Sequence, residues 1–406
     1  MWQQIKNLYH LFTAILFVLL YHFPARKLTV IGVTGTDGKT TTVNLIYEIL
    51  FKAGKKVSMV SSVKAVVGEK KYGIGLHVTT PDPKDIQRFL YQAVLAGSKY
   101  FVLEASSHGL AQNRLWGCFF HLGVVTNITH DHLDYHQTYE NYLKAKAKLF
   151  GRVKVAVLNR DDESYSYLNS KLKTQNSKVI AYGLKNMADF TPKNFKFKTP
   201  LLGEYNQYNC LAAAAATSSL GVLDEQIKKT IASFGGVKGR MDEIKLGQNF
   251  RVFIDFASTP NSLKNALQTL KSEQRTKGKE QSRLIAVFGS AGLRDRMKRP
   301  MMGEVSGKYA DISVLTAEDP RTEDINEIIE EIARGALRVG AKEGKTLFRV
   351  PDRAQAIKFA IQKLARKGDI VVTCGKGHEK SMCYGKKEYP WNEYQVVQKA
   401  LKGREK

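Results

Sequence analysis

The sequence predicts an α/β fold in which two parallel-sheet units follow one another along the chain. Three observations carry this expectation. Residues 28–34 (LTVIGVT) form a β-branched run that passes at once into a glycine-rich loop and a helical stretch over 41–53, the strand–loop–helix opening of a parallel sheet. Buried-strand runs then recur at 99–104 (KYFVLE), 122–126 (LGVVT) and 153–158 (VKVAVL), with helical patterns between them. A second series begins near residue 250, at 251–255 (RVFID), 283–289 (RLIAVFG), 311–315 (DISVL) and 369–373 (DIVVT).

The last two strands of that series bracket clear helical patterns at 326–339 and 353–366. The chain has 406 residues, which at roughly 100–200 residues per domain fits two or three domains. A boundary is expected within 235–249, where FGGVKGR precedes the polar turn KLGQN. The organisation expected is a leader over 1–27, a first unit over 28–243 and a second over 244–406. The lysine-rich segment 271–283 reads as a solvated loop. No internal repeat is visible.

Composition excludes whole classes. Hydrophobic residues make up 43% and charged residues 25%, so wholesale disorder and fibrous architecture do not fit. Lys and Arg number 63 against 38 Asp and Glu, a net charge of +25. Such an excess suits polyanions, whether nucleic acid, anionic lipid or a phosphorylated substrate, or else is a basic, solvated surface. Cys118, Cys210, Cys374 and Cys383 are scattered without a CxxC pair, which argues against a disulfide framework or a zinc ribbon and fits a reducing cytosol.

Residues 8–23 (LYHLFTAILFVLLYHF) are nearly all apolar or aromatic, with Lys6 before and Arg26 and Lys27 after. The run is short of the ~20 residues that span a bilayer as a helix. No A-x-A-like cleavage site follows it, and a nucleotide loop starts about ten residues later, so a signal peptide does not fit. Two readings stay open: attachment at a membrane surface or a short membrane anchor, or a helix packed on the protein.

Between the first strand and the first helix lies Gly35-Thr36-Asp37-Gly38-Lys39-Thr40-Thr41. Glycines let backbone N–H groups curl around phosphate oxygens, and the helix N-terminus adds positive potential. Lys39 would reach the β/γ-phosphates and the Thr40 hydroxyl would ligate Mg²⁺. The spacing is G-x-x-G-K-T, and Val33 holds the place of the first glycine of a full Walker A loop. Glu104 ends a buried strand and precedes Ala105-Ser106-Ser107-His108. A carboxylate there points into the crevice where open α/β sheets bind ligands. After the next strand comes Asn127-Ile128-Thr129-His130-Asp131-His132-Leu133-Asp134-Tyr135-His136. Its histidines and aspartates suggest zinc, but a nucleotide loop on the same sheet favours the hard cation Mg²⁺. His130 and His136 read as packing or capping residues.

These residues resemble the Mur ligases, and among them the MurE type. The motifs are GVTGTDGKTTT, TTPDP (79–83), LEASSHGL (103–110), NITHDHLDYH (127–136), YLKAKAKLF (142–150), VLNRDDE (157–163), GEYNQYN (203–209) and GRMDEI (239–244). They continue through FIDFASTPNSL (253–263), FGSAGLRDRMKRP (288–300), EDPRTED (318–324) and CGKGHE (374–379), in family order from about residue 28 to 380. The resemblance implies a P-loop central ATPase domain followed by a Rossmann-like C-terminal domain. It implies an ATP-dependent ligase of peptidoglycan synthesis that converts a carboxylate to an acyl-phosphate, which an amino group then attacks. Metal ions and cations would lower the barrier between the meeting anions.

The resemblance also assigns residues. Gly35, Thr36, Asp37, Gly38, Lys39, Thr40 and Thr41 would hold the ATP phosphates, with Asn206, Asn209, Arg240 and Asp255 completing the nucleotide site. Thr40, Glu104, His132 and Lys146 would serve two Mg²⁺ sites, Lys146 matching a lysine that is carbamylated in the family. Lys39, Glu104, His132, Lys146 and Arg240 form the implied catalytic set. Thr79, Thr80, Ser107 and Arg114 match substrate positions in the first unit, and Arg294, Asp319, Arg321, Gly375 and Glu379 in the second.

The implied partners are a muropeptide acceptor, UDP-MurNAc-L-Ala-D-Glu or similar, and a diamino acid. Diaminopimelate-adding members typically read D-N-P-R where this chain reads Glu318-Asp319-Pro320-Arg321. Arg321 would pair bidentately with the distal carboxylate of meso-diaminopimelate, whereas the added charge of Asp319 would suit lysine, and Glu379 would receive an ammonium group in either case. Other departures are Asp255-Phe256-Ala257-Ser258-Thr259-Pro260 for the family's D-Y-A-H-T-P, and Trp391-Asn392-Glu393 for a late F-D-D. Only 34 residues precede Gly35, fewer than the N-terminal domain that grips UDP in complete members, so recognition of UDP is expected to differ. A MurT-like amidating subunit acting on a membrane-linked muropeptide is the alternative, although the four-cysteine zinc insertion usual in those proteins is absent. A catalytically silent ATP-binding scaffold is a further one. The expected location is the cytoplasm, with its membrane face left open, and no nucleic acid partner is expected.

Overall fold

A computed structural model describes residues 2–75, 79–129, 131–276 and 282–404. The chain divides into two units, Met1–Gly235 and Gly236–Lys406, at the Gly235–Gly236 pair.

In the first unit α1 (Trp2–Leu20) leads through a single turn, Pro24–Lys27, into β1 (Thr29–Thr34). There follow α2 (Lys39–Lys52), β2 (Val57–Val60), β3 (Ala65–Val67), β4 (Lys70–Tyr72), α3 (Pro83–Leu95), β5 (Tyr100–Glu104), α4 (Ser107–Ala111) and β6 (Phe120–Val125). The unit closes with α5 (Leu133–His136), α6 (Tyr139–Ala147), β7 (Val155–Asn159), α7 (Tyr165–Lys173), β8 (Lys178–Tyr182), α8 (Glu204–Ser218) and α9 (Asp224–Ala232). The sheet order is β4-β3-β2-β5-β1-β6-β7-β8, parallel from β2 to β8 and extended at one edge by antiparallel β3 and β4.

β1 reads as an unbroken apolar run because helices cover both sheet faces. Val30, Phe101 and Leu103 join a core with Ile86, Phe89, Leu110 and Tyr142 from α3, α4 and α6. α2 packs on β1 and β5 and against α8. β1 is central, with β5 on one side and β6 on the other. The chain therefore switches direction across the sheet at β1, and the carboxyl ends of these strands open a crevice.

The second unit contains β9 (Asp242–Ile244), β10 (Arg251–Ile254), α10 (Pro260–Thr276), β11 (Leu284–Phe288), α11 (Lys298–Tyr309), β12 (Ile312–Leu315), α12 (Ile325–Arg338) and β13 (Leu347–Arg349). It ends with α13 (Arg353–Phe359), β14 (Ile370–Thr373), β15 (Ser381–Tyr384), β16 (Lys387–Pro390) and α14 (Glu393–Lys402). Its sheet runs β13-β12-β11-β14-β10-β9, parallel except for β9, and β15 and β16 form a separate hairpin.

One expectation is corrected here. The lysine-rich segment 271–283 begins inside α10, which runs on to Thr276. Leu263, Ala266, Leu267, Leu270 and Gln274 are all buried, so the inward stripe of a helix continues past Lys271. Lys271 itself reaches Asp311 at 2.5 Å. Residues 277–281 lie outside the described residues.

Candidate active site

The phosphate loop takes its shape from two glycines. Gly35 has φ +149° and Gly38 has φ +81°. A Cβ on Gly35 would stand 1.8 Å from Thr126 Oγ1, and one on Gly38 would stand 2.2 Å from Asn209 Oδ1. Glycine is therefore required by space as well as by backbone angle. The loop after β6 braces it. The Thr36 amide donates to the Asn127 carbonyl at 2.7 Å, the Asp37 amide donates to Asn127 Oδ1 at 2.9 Å, and Thr126 Oγ1 donates to the Asp37 carbonyl at 2.6 Å. Thr36 Oγ1 also meets the buried Tyr142 hydroxyl at 3.0 Å.

Lys39 folds over the loop, its Nζ donating to the carbonyls of Gly35 at 3.0 Å and Thr36 at 2.8 Å. Lys146 approaches from α6, its Nζ donating to the same Gly35 carbonyl at 2.6 Å and standing 4.5 Å from the Tyr142 ring centre. Burial, and then the charge of Lys39, holds the Lys146 ammonium well below the usual lysine range. At α2, Thr40 and Thr41 are buried in the first turn, and on α8 the Asn209 amide donates to Asn206 Oδ1 at 2.9 Å.

Glu104 is buried at the end of β5 among hydroxyl groups. Thr40 Oγ1 donates to Oε1 at 3.0 Å, Ser62 Oγ donates to Oε1 at 2.8 Å and the Ser62 amide donates to Oε2 at 2.8 Å. A carboxylate with two hydroxyls is a hard-oxygen donor set that fits Mg²⁺. Thr80 fixes the backbone on the other side of Glu104, its Oγ1 donating to the Glu104 carbonyl and accepting from the Ser106 amide. Arg114 donates to the Thr80 carbonyl at 3.1 Å, Thr79 is half-buried beside it, and Ser107 is buried at the start of α4.

His132 sits just before α5 with φ +54°, its Nε2 3.3 Å from Asp131 Oδ2 and its ring edge-on to His108 at 4.7 Å. His136 packs among the rings of His108, Tyr135 and Tyr142, and burial pushes its imidazole down to about 4. It is neutral at pH 7, as a packing residue would be. His130 lies outside the described residues. Among the described residues no three His, Cys, Asp or Glu side chains gather closely enough to hold a metal. The four cysteines are free and buried.

In the second unit Asp255 follows β10 and organises two loops, accepting from the Met241 amide at 2.6 Å and the Ala257 amide at 2.8 Å. The Arg240 guanidinium lies over the Phe256 ring, 4.4 Å from its centre.

A second cluster collects at the carboxyl ends of β11, β12 and β14. Lys376 is fully buried, and its Nζ meets both Asp319 oxygens at 2.9 Å and Glu379 Oε2 at 2.5 Å. Arg321 donates to the Gly292 carbonyl at 2.8 Å. Gly375 has φ +104°, and a Cβ there would stand 2.1 Å from Glu318 Oε2. Burial pushes the Glu318 carboxyl up to about 8, against the pull of Lys298 and Arg353. Arg294 is exposed on the turn before α11.

Sequence reasoning passed over four contributors. Ser62 follows a parallel strand, where a ligand-facing hydroxyl is expected, but β2 had not been recognised as a strand. Asn127, Tyr142 and Lys376 lie inside motifs already singled out, and only their contacts give them a part.

A phosphate loop at the switch point of a parallel sheet, followed by a second α/β unit, is the arrangement of a two-unit α/β nucleotide-binding protein. Comparison with known proteins agrees. Residues 33–217 match the Mur ligase middle domain, and residues 239–377 match the Mur ligase, glutamate ligase domain. The chain is 36% identical over 405 residues to the UDP-N-acetylmuramoyl-L-alanyl-D-glutamate--2,6-diaminopimelate ligase of Caldanaerobacter subterraneus subsp. tengcongensis, covering 95% of this chain and 80% of that protein. A solved structure of a ligase of the same name is 32% identical with a TM-score of 0.59, covering 92% of this chain and 78% of that one. Mycobacterium tuberculosis folylpolyglutamate synthase, solved with ADP, shares the fold at 16% identity, with a TM-score of 0.68 and coverage of 90% and 91%. The chain belongs to the Mur ligase family. It is an ATP-dependent, amide-forming ligase.

Proposed function

We propose that this ligase adds meso-diaminopimelate to the D-glutamate carboxylate of a UDP-MurNAc-L-Ala-D-Glu-type acceptor in peptidoglycan synthesis. The similarity to diaminopimelate ligases supports the reaction. The observation that carries the choice of amino acid is the charge balance around Lys376. Asp319 and Glu379 share the buried Lys376 ammonium, and Arg321 lies on the same motif as Asp319. The Arg321 guanidinium holds the Gly292 carbonyl, and burial pushes the Glu318 carboxyl up to about 8. An arginine on the same motif as this acidic pair suits a zwitterionic distal end, ammonium plus carboxylate, better than the lone ammonium of lysine. The extra charge of Asp319 is already spent on Lys376.

In the chemistry proposed, an acceptor carboxylate oxygen attacks the γ-phosphorus of ATP. An O–P bond forms, the bond to the β-phosphate bridge breaks, and ADP leaves. The amine then attacks the acyl carbon, the C–N bond forms, phosphate departs with the C–O electron pair, and the amine loses a proton. Lys39 and the backbone of the 35–41 loop would hold and neutralise the phosphates. Thr40, Glu104 and Ser62 would hold Mg²⁺, which would supply charge stabilisation to the transferring phosphoryl group. Asn206 and Asn209 would support the nucleotide from α8, while Arg240 and Asp255 would act from the second unit. Burial and the charge of Lys39 favour the neutral form of the Lys146 amine, the form that would add CO₂: an N–C bond would form, a C–O π pair would move onto oxygen and a proton would be lost, leaving an anionic carbamate.

The test is direct. Incubate the full chain with ATP, Mg²⁺ and UDP-MurNAc-L-Ala-D-Glu, with diaminopimelate or lysine, and measure phosphate and tripeptide. Diaminopimelate should be the better substrate, and bicarbonate should raise the rate of the wild type but not of Lys146→Gln. Lys39→Ala should lower phosphate release by about 10²-fold or more. Preference for lysine would overturn the amino-acid assignment, and an active Lys39→Ala would overturn the role of the loop.

A further inference from the structure

Helix α1 has two apolar faces, and the first unit covers only one. Ala14 and Val18 are fully buried, Tyr21 just beyond the helix stacks on Tyr91 of α3 at 5.1 Å, and Gly117 lies so close to Val18 that a Cβ there would stand 2.4 Å from it. Leu8, Tyr9, Phe12, Leu16, Leu19 and Leu20 are each 54–67% exposed. At ~100° per residue they fall within a sector about 120° wide, opposite the packed side. An exposed stripe of this kind marks an interaction surface.

The charges around the stripe say which partner it suits. No acidic residue occurs before Asp37, whereas Lys6, Arg26 and Lys27 do. Arg26 is exposed and stands over the rings of Phe23 at 4.3 Å and Phe119 at 5.3 Å. Phe119 and Trp116, on the loop that touches Val18, are themselves 44% and 41% exposed. Lys84 of α3 lies 6.0 Å from the Phe17 ring. The two acids at the start of α3 are paired, Asp82 with Arg114 and Asp85 with Arg88. Apolar residues flanked by cations and aromatic rings match the boundary between anionic headgroups and acyl chains. Among the described residues no helix is long and apolar enough to cross a membrane.

We propose that the outer face of α1, with Trp116, Phe119, Arg26 and Lys27, docks this ligase on an anionic phospholipid surface, the helix lying in the interface plane. This goes beyond the catalytic reading and does not depend on it. One face of α1 packs on the protein, and under this proposal the other lies on the lipid.

The test uses the full chain and vesicles, without nucleotide or muropeptide, so its outcome is separate from that of the ligase assay. Sedimentation with phosphatidylglycerol–phosphatidylcholine vesicles at low ionic strength should carry the protein down. Pure phosphatidylcholine vesicles, or 0.5 M salt (about a 4 Å screening length), should carry down much less. Phe12→Asp/Leu16→Asp should reduce partitioning by about tenfold or more, with unchanged circular dichroism. Arg26→Gln/Lys27→Gln, which leaves the apolar stripe intact, should weaken binding to anionic vesicles only. Absence of wild-type binding to the anionic vesicles would overturn the proposal. So would equal binding by Phe12→Asp/Leu16→Asp, or a wild-type dimer that this variant converts to monomer while vesicle binding stays unchanged, since the occupant would then be a second copy.

Discussion

Single residues in this protein are set by what crowds them. Glu318 is the clearest case, because burial in the second unit pushes its carboxyl up to about 8 from an ordinary 4.5. Between those two pH values the folded chain keeps a proton that the unfolded chain releases, so stability falls as pH rises through that window. Glu318→Gln should remove this slope, leaving the variant closer to wild type at pH 4.5 and more stable relative to it at pH 8. Chemical denaturation across that range, reading a difference on the order of a few kcal/mol at most, checks it; an unchanged slope would place the titration elsewhere. Lys146 is displaced in the opposite sense; composition and spacing left it one of several lysines in a basic stretch, and only the family resemblance singled it out in the sequence. In the structure its burial beside Lys39 sets it apart from its neighbours.

At the scale of elements, strands buried on both faces announced themselves. β1, β5, β6, β7, β10, β11, β12 and β14 all fall on runs anticipated from sequence, because apolar, β-branched stretches are needed where helices cover both sides of a sheet. The short strands β3, β4, β9 and β13 did not, since three-residue strands carry too little pattern. The end of α10 was misjudged because every residue from Lys271 to Thr276 is polar, so its buried position is filled by Gln274 rather than by an apolar side chain.

The segment after β8 shows how one side chain orders a whole connection. Asp161 accepts from the amides of Leu184, Lys185 and Asn186 at 2.7–2.9 Å and from the Tyr208 hydroxyl at 2.9 Å. Burial alone would raise its carboxyl, but these donors outweigh it and bring the group down to about 2. Its contribution to stability is present above an unfolded value near 3.8 and is lost as pH falls through about 2. Asp161→Ala should lower the melting temperature at pH 7, with the gap from wild type closing toward pH 2, as followed by circular dichroism. A gap independent of pH would mean that the carboxylate charge plays no part.

For the whole molecule, two units with separate sheets and cores predict departure from two-state unfolding. Calorimetry should resolve two transitions. A non-hydrolysable ATP analogue with Mg²⁺ at 100 times its Kd should stabilise the transition of the first unit by roughly 2.7 kcal/mol, and Lys39→Ala should abolish that shift. A single transition, or one moved equally in the variant, would refute the expectation. The sequence by itself determined the alternation of strands and helices, the phosphate loop and the order of the family motifs. Each of these depends on neighbouring residues, where backbone freedom at Gly35 and Gly38 and apolar periodicity leave a local mark. The tertiary structure alone decided that Ser62 joins Thr40 at Glu104, that Lys376 takes up the charge of Asp319, and that α1 turns one apolar face inward and leaves the other to solvent. Those outcomes pair groups far apart in the chain, and only the packing of the fold brings them within reach of one another.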